Sequence, residues 1–492
     1  MEHILSSPTL SLLVILPSAL AIVVLSSLVR SYYRLRHIPG PLLPSLTDWW
    51  ATLNIWTGRP YSTFIPELHE KYGPVVRWGP NRVSFAKPEA VADIYGINHP
   101  FPKAASYEPM VVVNNGKPVP SLIGTRDEKH ITELKRHISI GFSQSTWLKQ
   151  EPQIDAVLQL LLSQLRAKTG QTIDLRRWLS YWSFDTLATV AFGESRGYLK
   201  HEGDIDGVFA SGSARFKHWG MWMSMPSLEQ LIYKNRFAQR SQKGGSALVQ
   251  MALKRIRERK EGEKDAAAGQ DLLGRYLAAS QQAPDIIAPD DVLGLTISTI
   301  HAGSETTASG AAMVLLRVLN DPRVFARLEE EILAANFSTP PTFAQVDRLP
   351  YLTACIQESM RLNASPNCFE RTVAPSGASI AGVTIPAGTD VSICEAFVNS
   401  DPELFGQDAA VFRPERWLDV EKARLAEMER AGFGFGYGRR HCIGQHLARI
   451  EMKKGLAGIV GGFKIHPTER PHFWVQDTQV KINLKVRLEE RV

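Results

Sequence analysis

A glycine-rich segment near the C-terminus carries a cysteine to the start of a predicted helix. Residues 433–444 read Phe-Gly-Phe-Gly-Tyr-Gly-Arg-Arg-His-Cys-Ile-Gly, and a helical pattern follows over residues 445–454. Free backbone N–H groups and the positive dipole at a helix start stabilise a thiolate and lower the pKa of a cysteine thiol. A thiolate is a soft ligand for iron, so Cys442 is a candidate metal ligand. The alternative is a buried structural cysteine.

The residues beside Cys442 suit a flat cofactor. Glycines allow the backbone to pass close to a planar group because they have no Cβ to clash with it. Arg440 offers a permanent positive charge to a carboxylate. These features favour a cofactor that is planar and carries acidic groups.

The elements that must position this segment are mostly helical. Helical patterning dominates residues 127–363. Short β-branched or aromatic runs occur at three places, residues 75–85, 379–385 and 480–486. The pattern predicts a mainly α protein with small β-sheets. One helix is long, because Asp290 is a suitable N-cap after Pro289 and the next proline is Pro322. Its roughly 30 residues would span about 45 Å and cross the whole domain.

The composition excludes several classes of protein. With 492 residues, 44% of them hydrophobic and 22% charged, the chain can bury a sizeable core. A total of 56 Lys and Arg against 50 Asp and Glu gives a formal net charge of +6, too weak an excess to indicate nucleic-acid binding. Four cysteines are too few for a disulfide framework, which favours a reducing environment.

The N-terminus has the pattern of a membrane anchor. Residues 3–29 contain no Lys, Arg, Asp or Glu, and residues 10–29 supply the about 20 residues that a membrane-spanning helix needs. Arg30, Arg34 and Arg36 follow the span, which predicts a cytoplasmic main domain. A cleaved secretory signal is the alternative, but no basic region precedes the apolar stretch.

The chain divides into three segments. Residues 1–30 form the predicted anchor, residues 31–60 hold a proline-rich spacer and the start of the domain, and residues 61–492 form one continuous domain without internal repeats. The prolines of residues 37–44 cannot continue a helix and favour a stiff, extended connector.

The segment around Cys442 also fits a known pattern. Phe435, Gly438, Arg440, Cys442 and Gly444 stand where Phe-x-x-Gly-x-Arg-x-Cys-x-Gly requires them. By these residues the chain resembles the cytochrome P-450 superfamily. The wording of its motifs and the stretch 412–440, with a charged helix inserted over residues 420–430, look most like filamentous-fungal members from specialised-metabolite pathways. The resemblance implies a cytochrome P-450 fold with an N-terminal transmembrane helix. It also implies haem b (iron protoporphyrin IX) as cofactor, with the Cys442 thiolate as axial ligand of the iron.

Two further motifs occur in the family's order. Glu358-Ser-Met-Arg361 resembles its Glu-x-x-Arg pair, and the i, i+3 spacing puts both side chains on one helix face. Residues 412–417, Phe-Arg-Pro-Glu-Arg-Trp, resemble the segment whose arginine completes an ion-pair network with that pair. That arginine is Arg416 here. The resemblance assigns the three charged residues to folding rather than to catalysis.

Residues 301–307, His-Ala-Gly-Ser-Glu-Thr-Thr, resemble the family's stretch over the distal face of the haem. Ala302 and Gly303 would leave room there for a diatomic ligand. Thr306 would guide protons through its hydroxyl and Glu305 would help to relay them from solvent, while the thiolate favours O–O scission. The alternative is an ordinary helical turn whose hydroxyl bonds back to the main chain.

Other haem contacts follow from the same resemblance. Arg371 and Arg440 would each bind a propionate. The family's third contact is aromatic, but Ile131 takes that position here. His130, one residue earlier, either substitutes for it or has no such role. His301 is not expected to be a second axial ligand, since it lies beside the position that faces the iron, and we expect it to pack against a neighbouring helix.

The resemblance implies a monooxygenase in the endoplasmic reticulum membrane with its catalytic domain facing the cytoplasm. It would activate O2 with electrons from NADPH through a reductase, with cytochrome b5 as a further donor, and oxidise a lipophilic small molecule. Terpenoid, polyketide and alkaloid substrates all stay open. Arg439, Lys453 and Lys454 are candidates for the surface that meets the reductase. A haem-thiolate isomerase or dehydratase acting without O2 is one alternative, and a non-catalytic haem protein is another; the Glu305-Thr306 pair argues against both.

The resemblance also maps the substrate pocket to five stretches, residues 101–123, 216–233, 295–307, 365–373 and 473–478. Tryptophans and methionines in residues 219–225 suit a membrane-facing or adaptable entrance, with ordinary helix packing as the alternative. The polar run Asn-Cys-Phe-Glu at residues 367–370 suggests a substrate that bears a hydroxyl, amide or amine.

Overall fold

The computed structural model describes residues 28–97, 101–114, 116–235, 237–238, 246–262, 271–303, 305–363 and 369–491, with Ile15, Ser18, Ala19, Ile22, Leu25 and Ser26. Most of the predicted membrane-spanning stretch, residues 10–29, lies outside these residues. In the described part of the chain, we find no helix with the length and apolar character that crossing a membrane requires.

Helices dominate the described chain. They are α1 Leu42–Leu46, α2 Trp49–Trp56, α3 Tyr61–Tyr72, α4 Glu89–Tyr95, α5 Glu128–Ile138, α6 Gln144–Lys149, α7 Glu151–Ala167, α8 Leu175–Phe192, α9 Tyr198–His201, α10 Val208–Trp222, α11 Pro226–Tyr233, α12 Ala247–Glu261, α13 Leu272–Gln282, α14 Pro289–Gly303, α15 Glu305–Leu319, α16 Pro322–Ala334, α17 Phe343–Val346, α18 Pro350–Arg361, α19 Glu395–Val398, α20 Pro402–Phe405, α21 Lys422–Ala431 and α22 Gln445–Gly462. Short 3₁₀ segments include Ala105–Met110, Pro414–Trp417 and Gly438–Arg440.

The strands form small sheets at the periphery of the helices. They are β1 Val75–Gly79, β2 Arg82–Phe85, β3 Val112–Asn114, β4 Lys117–Val119, β5 Thr172–Asp174, β6 Arg371–Thr372, β7 Ala378–Ile380, β8 Val383–Ile385, β9 Asp390–Ile393, β10 Phe463–Pro467, β11 His472–Gln476, β12 Gln479–Asn483 and β13 Lys485–Glu490. The larger sheets have the orders β1-β2-β9-β6 and β10-β13-β5. Within the first, β2 and β9 run parallel, with Val83 opposite Val391, and the other neighbours are antiparallel.

The predicted element types are confirmed. The three β-rich runs correspond to the hairpin β1/β2, the hairpin β7/β8 and the strands β12 and β13. The long helix is present as α14 and α15 on either side of Ser304, which lies outside the described residues. Its predicted cap at Asp290 is wrong, because the helix begins one residue earlier, at Pro289. The carboxylate of Asp291 instead accepts a hydrogen bond from the backbone N–H of Ala288 at 2.9 Å.

The main core holds the two helices on which the chemistry depends. In α14 and α15 most side chains are buried, and the same core contains the inner faces of α7, α8 and α22. Gly455 of α22 lies directly against the ring of Trp182 of α8, and a Cβ there would stand 2.5 Å from Trp182 Cη2. This close approach fixes α22, whose first turn follows Cys442.

Candidate active site

The segment before α22 folds into a tight loop that presents Cys442. The Cys442 N–H donates to the Phe435 carbonyl at 2.8 Å, and the Gly436 N–H donates to the Phe433 carbonyl at 2.8 Å. Gly438 has φ +60°, and a Cβ at this position would lie 1.8 Å from the carbonyl oxygen of Tyr95. Only glycine fits this position, because it tolerates both the left-handed backbone and the contact.

Cys442 is exposed, and it lies shortly before α22, which begins directly after Gly444. Partial burial by its surroundings nevertheless raises the pKa of the thiol above its ordinary value. The Gly444 N–H and the charges of Lys135 and Arg449 act in the opposite direction, but they do not outweigh that desolvation. The expectation that the helix start lowers the pKa of the thiol is therefore wrong, because desolvation has the larger effect. A bound metal ion would itself favour the thiolate.

Four cations meet beside this loop. Arg440 is held by Glu128 of α5, by the Thr125 carbonyl and by the Leu122 carbonyl. Arg371 of β6 is buried and donates to the Glu370 carbonyl at 2.9 Å. The other two cations are Lys103, which donates to the Ile123 carbonyl at 2.7 Å, and Lys135, which donates to the Arg439 carbonyl at 2.7 Å.

Among the described residues, the cations of this cluster outnumber the carboxylates that act on them. Burial lowers the pKa of Lys103 well below its ordinary value, and the charges of Arg440 and Arg371 lower it further. Burial and the charge of Arg440 likewise lower the pKa of Lys135 to about 8. Glu128 is the carboxylate that opposes both effects. One carboxylate facing four cations leaves room for a ligand with two negative charges, which the two propionates of haem provide.

His130 is placed away from this cluster. Its Nε2 lies 2.7 Å from Asp291 Oδ1, so the imidazole bonds to the start of α14. Ile131, which takes the family's aromatic position, is buried in the core with 1% exposed. Lys103 and Lys135 were missed by the sequence reasoning. No local signal distinguishes them, because they meet Arg440 only through the packing of three separate segments.

At the centre of the long helix, residues 302, 303, 305 and 306 form an opening between more deeply buried turns. Residues on either side, such as Ile300 and Ala308, are buried, whereas Thr306 is exposed and Ala302 is half-buried. The hydroxyl of Thr306 donates to the Ala302 carbonyl at 2.6 Å. This is the back-bonded arrangement considered above as the alternative, and it holds the hydroxyl at the opening.

Glu305 points to a different neighbour from Thr306. Its Oε2 accepts a hydrogen bond from Arg176 Nη2 of α8 at 2.6 Å, and the same nitrogen donates to Ser309 Oγ at 2.9 Å. Both side chains of the pair are partly buried. Glu305, the residue expected to relay protons, is thus paired with Arg176, which the sequence reasoning had missed.

His301 packs against the neighbouring helix α10, as expected. Its ring stacks on Phe216 with 4.3 Å between centroids, and Nε2 lies 3.3 Å from the Gly212 carbonyl. Burial lowers the pKa of His301 to about 3, and the charge of Arg215 contributes to the same shift. The imidazole is thus neutral over the physiological range.

The predicted ion-pair network of Glu358, Arg361 and Arg416 is confirmed. Arg361 donates to the two Glu358 oxygens at 2.7 and 2.8 Å, and Arg416 Nε donates to Oε1 at 3.3 Å. The network also includes Trp417, whose Nε1 donates to Oε2 at 2.9 Å. Burial alone would raise the pKa of Glu358, but the hydrogen bonds and charge of Arg361 outweigh it and hold that pKa below its ordinary value.

The reductase surface predicted at Lys453 and Lys454 is wrong. Lys453 and Lys454 are buried and ion-paired, with Asp347 in the first case and with Glu151 and Asp155 in the second, so they are not a surface for a reductase. Arg439 is exposed. Of the polar run 367–370, Glu370 is fully buried and pairs with Arg82, whereas Asn367 and Cys368 lie outside the described residues. In residues 219–225, Trp219, Trp222 and Met223 are buried in the core, which fits the alternative of ordinary helix packing.

Comparison with known proteins decides the family. The sequence model of the cytochrome P-450 family matches residues 41–486. The chain belongs to the cytochrome P-450 family. It is 32% identical over 490 residues to a cytochrome P-450 monooxygenase of Aspergillus terreus, covering 94% of this chain and 97% of that protein.

Two further cytochrome P-450 monooxygenases are similar over most of the chain. That named cicH of Emericella nidulans is 32% identical over 93% of this chain and 95% of its own. That named asR2 of Sarocladium schorii is 31% identical over 98% of this chain and 97% of its own. The chain is accordingly an oxidoreductase of the monooxygenase class, a haem-thiolate protein with a cysteine as iron ligand. Such enzymes use O2 and a redox partner and act on small molecules.

Proposed function

We propose that the protein is a membrane-anchored monooxygenase that oxidises a lipophilic small molecule in fungal secondary metabolism, with electrons from NADPH through a reductase and with cytochrome b5 as a further donor. The observation that carries the proposal is the pairing of an exposed cysteine at the start of α22 with a group of cations that lacks counter-charge. The similarity to fungal monooxygenases supports the biological setting. The terpenoid, polyketide and alkaloid classes stay open.

The proposed roles, haem binding and proton transfer, belong to residues on two different faces of the site. Bound haem supplies the activation of dioxygen, with Cys442 as the iron ligand and Arg371 and Arg440 as partners of its carboxylates. On the opposite side the Thr306 hydroxyl, held over the Ala302 carbonyl, can pass a proton toward the opening of the helix. Exchange of its back-bond for a bond to the reacting oxygen needs only a rotation about χ1.

Proton supply from solvent is assigned to Glu305. Its ion pair with Arg176 keeps the carboxylate on the α8 side of the helix, one residue before Thr306. A rotation of this half-buried side chain away from Arg176 would bring it to the solvent path. In this proposal Glu305 carries protons, and its ion pair with Arg176 sets the position of its carboxylate between transfers.

Membrane association is supported by an exposed apolar surface in addition to the N-terminal sequence. Trp56 contacts Trp222 with 5.4 Å between ring centroids, and Trp222 contacts Tyr233 with 5.5 Å, which joins α2 to α10 and α11. Large apolar side chains of these segments are exposed: Trp49, Leu53, Trp56, Leu231, Ile232 and Phe237. Such a patch suits the interface of a lipid bilayer. We propose the endoplasmic reticulum membrane, with the catalytic domain on the cytoplasmic side.

The decisive experiment is the carbon monoxide difference spectrum of the reduced protein. We expect the red-shifted Soret band of thiolate ligation from the wild type and its loss in Cys442→Ala. Cys394→Ala is the matched control, because Cys394 is a buried free cysteine of another core cluster and should leave the band unchanged. A band at the shorter, imidazole-like wavelength from the wild type would contradict the proposal.

A further inference from the structure

Arg215 is a half-buried cation for which the described residues provide no acid. It lies on α10, and its Nη2 donates to the Met110 carbonyl. Its Nη1 is buried without a hydrogen-bond partner. Within the described residues no carboxylate forms an ion pair with it, and burial alone lowers the pKa of Arg215 to about 10. An unpaired buried charge is costly, so this arrangement calls for a ligand.

The nearest acidic residues of the adjoining segments are committed elsewhere. Glu108 bonds to Arg126 and Gln230. Glu229 bonds to His218 and forms an ion pair with Lys234. Neither carboxylate is available to neutralise Arg215 without breaking its present contacts.

The position of Arg215 is at the junction of three stretches that the family resemblance maps to the substrate pocket or its border. Trp219, one turn further along α10, donates from Nε1 to the Ser106 carbonyl at 2.8 Å, so this face of α10 covers the Ala105–Met110 segment. The same face meets α14, because His301 Nε2 bonds to the Gly212 carbonyl and the charge of Arg215 lowers the pKa of His301.

A second unpartnered polar group lies on the neighbouring surface of α14. Ser298 is 6% exposed, and its hydroxyl has no hydrogen-bond partner. It precedes Ala302 by four residues and Thr306 by eight, so the three share one face of the long helix. The face of the long helix that bears Thr306 thus carries one unsatisfied hydroxyl, and α10 carries one guanidinium nitrogen, Nη1 of Arg215, without a hydrogen-bond partner.

We propose that Arg215 binds a carboxylate of the substrate and so determines which molecules the enzyme accepts. The inference rests on the proposed function, and it narrows the lipophilic substrate to an acid. The planar guanidinium would hold the carboxylate where α10 meets α14 and the Ala105–Met110 segment. The apolar body of the molecule would then extend along the face of α14 that bears Ser298, toward Thr306. This differs from the hydroxyl, amide or amine that residues 367–370 suggested.

The test uses the full-length, haem-loaded protein and three lipophilic acids with their methyl esters: dodecanoate, 6-phenylhexanoate and abietate. Titration at pH 7.5 follows the spin-state shift of the ferric spectrum. We expect at least one acid to bind about tenfold or more tightly than its ester, the range of a charge-assisted hydrogen bond. Arg215→Gln should abolish this preference and Arg215→Lys should retain part of it.

The control is Lys254→Gln on α12, outside the mapped pocket stretches, where Lys254 is exposed and pairs with Glu258. It removes one positive charge without touching Arg215 and should leave the preference unchanged. The proposal is overturned if none of the three acids shifts the spectrum, if esters bind as well as acids, or if the preference survives in Arg215→Gln. A normal thiolate-type carbon monoxide spectrum in the same preparation would show that the failure concerns Arg215 and not the proposed function.

A ligand-free measurement separates substrate binding from a structural role. Arg215→Met removes a buried charge that lacks an acid, so the melting temperature of the ligand-free protein should stay the same or rise. A fall of several degrees would mean that Arg215 serves chiefly to hold Met110, and it would overturn the proposal.

Discussion

Arg440 and Glu128 form a two-pronged ion pair in which Nη2 donates to Oε1 at 2.7 Å and Nε donates to Oε2 at 2.9 Å. The pair joins the cysteine loop to α5, and it supplies the negative charge of a cluster that is otherwise cationic. Glu128 is therefore both a support for Arg440 and a competitor of any anion that Arg440 binds.

Opposite effects on haem retention are expected from the two halves of this pair. Arg440→Gln removes a cation from the proposed propionate site and should speed haem loss about tenfold. Glu128→Gln removes the competing carboxylate and should slow it. Haem transfer to excess apomyoglobin, followed at the Soret band, measures both rates. Faster loss from both variants would mean that the pair serves only to hold the loop.

The buried network around Glu358 should make stability fall in acid. The pKa of Glu358 is lowered in the folded state, so its contribution is present above the unfolded pKa near 4.5 and is lost as the pH falls through the lower, folded value. Glu358→Gln leaves Arg361 and Arg416 without their partner and should cost about 3–5 kcal/mol at pH 7. Urea titrations at pH 7 and pH 4 check both statements. Equal losses at the two pH values would contradict the linkage.

Thr306→Ala should separate the consumption of reductant from the formation of product. Without the Thr306 hydroxyl, proton delivery to the reacting oxygen is misdirected. Hydrogen peroxide is then released while NADPH oxidation continues. Peroxide and NADPH are measured together with product. Thr296→Val is the matched control, because Thr296 makes the same kind of back-bond, to the Val292 carbonyl at 2.8 Å, inside the core. Unchanged coupling in Thr306→Ala would remove that residue from its proposed role.

His301 should make the stability of the folded protein sensitive to acid, and it should not affect the absorption spectrum of the haem. Its folded pKa of about 3 lies below the unfolded value of 6.5, so the unfolded chain binds a proton first and stability falls as the pH drops below 6.5. Between pH 6.5 and 5 this amounts to about 2 kcal/mol. His301→Phe keeps a ring against Phe216 and should flatten that part of the stability profile while leaving the ferric Soret band in place. A displaced Soret band would indicate that His301 binds the iron after all.

The chemistry of the cysteine loop was predictable from sequence because it is local. Gly436, Gly438 and Cys442 lie within seven consecutive positions, and the turn they form depends on backbone geometry that glycine alone allows. The Glu358-Arg361 pair was predictable for the same reason, since an i, i+3 spacing fixes which side chains meet on a helix. Helix and strand types followed from hydrophobic periodicity.

The pairing and burial of charges were decided only by the tertiary structure. His130 bonds to Asp291 and Glu305 bonds to Arg176 across more than a hundred residues of chain. Lys454, a plausible surface cation in sequence, is fully buried and pairs with two half-buried acids. A charge has no preferred partner along a sequence; its partner is whichever opposite charge the packed helices bring within reach. For that reason the sequence alone determined the family, the iron ligand and the element types, whereas the packing of α10 against α14 revealed the unpaired Arg215.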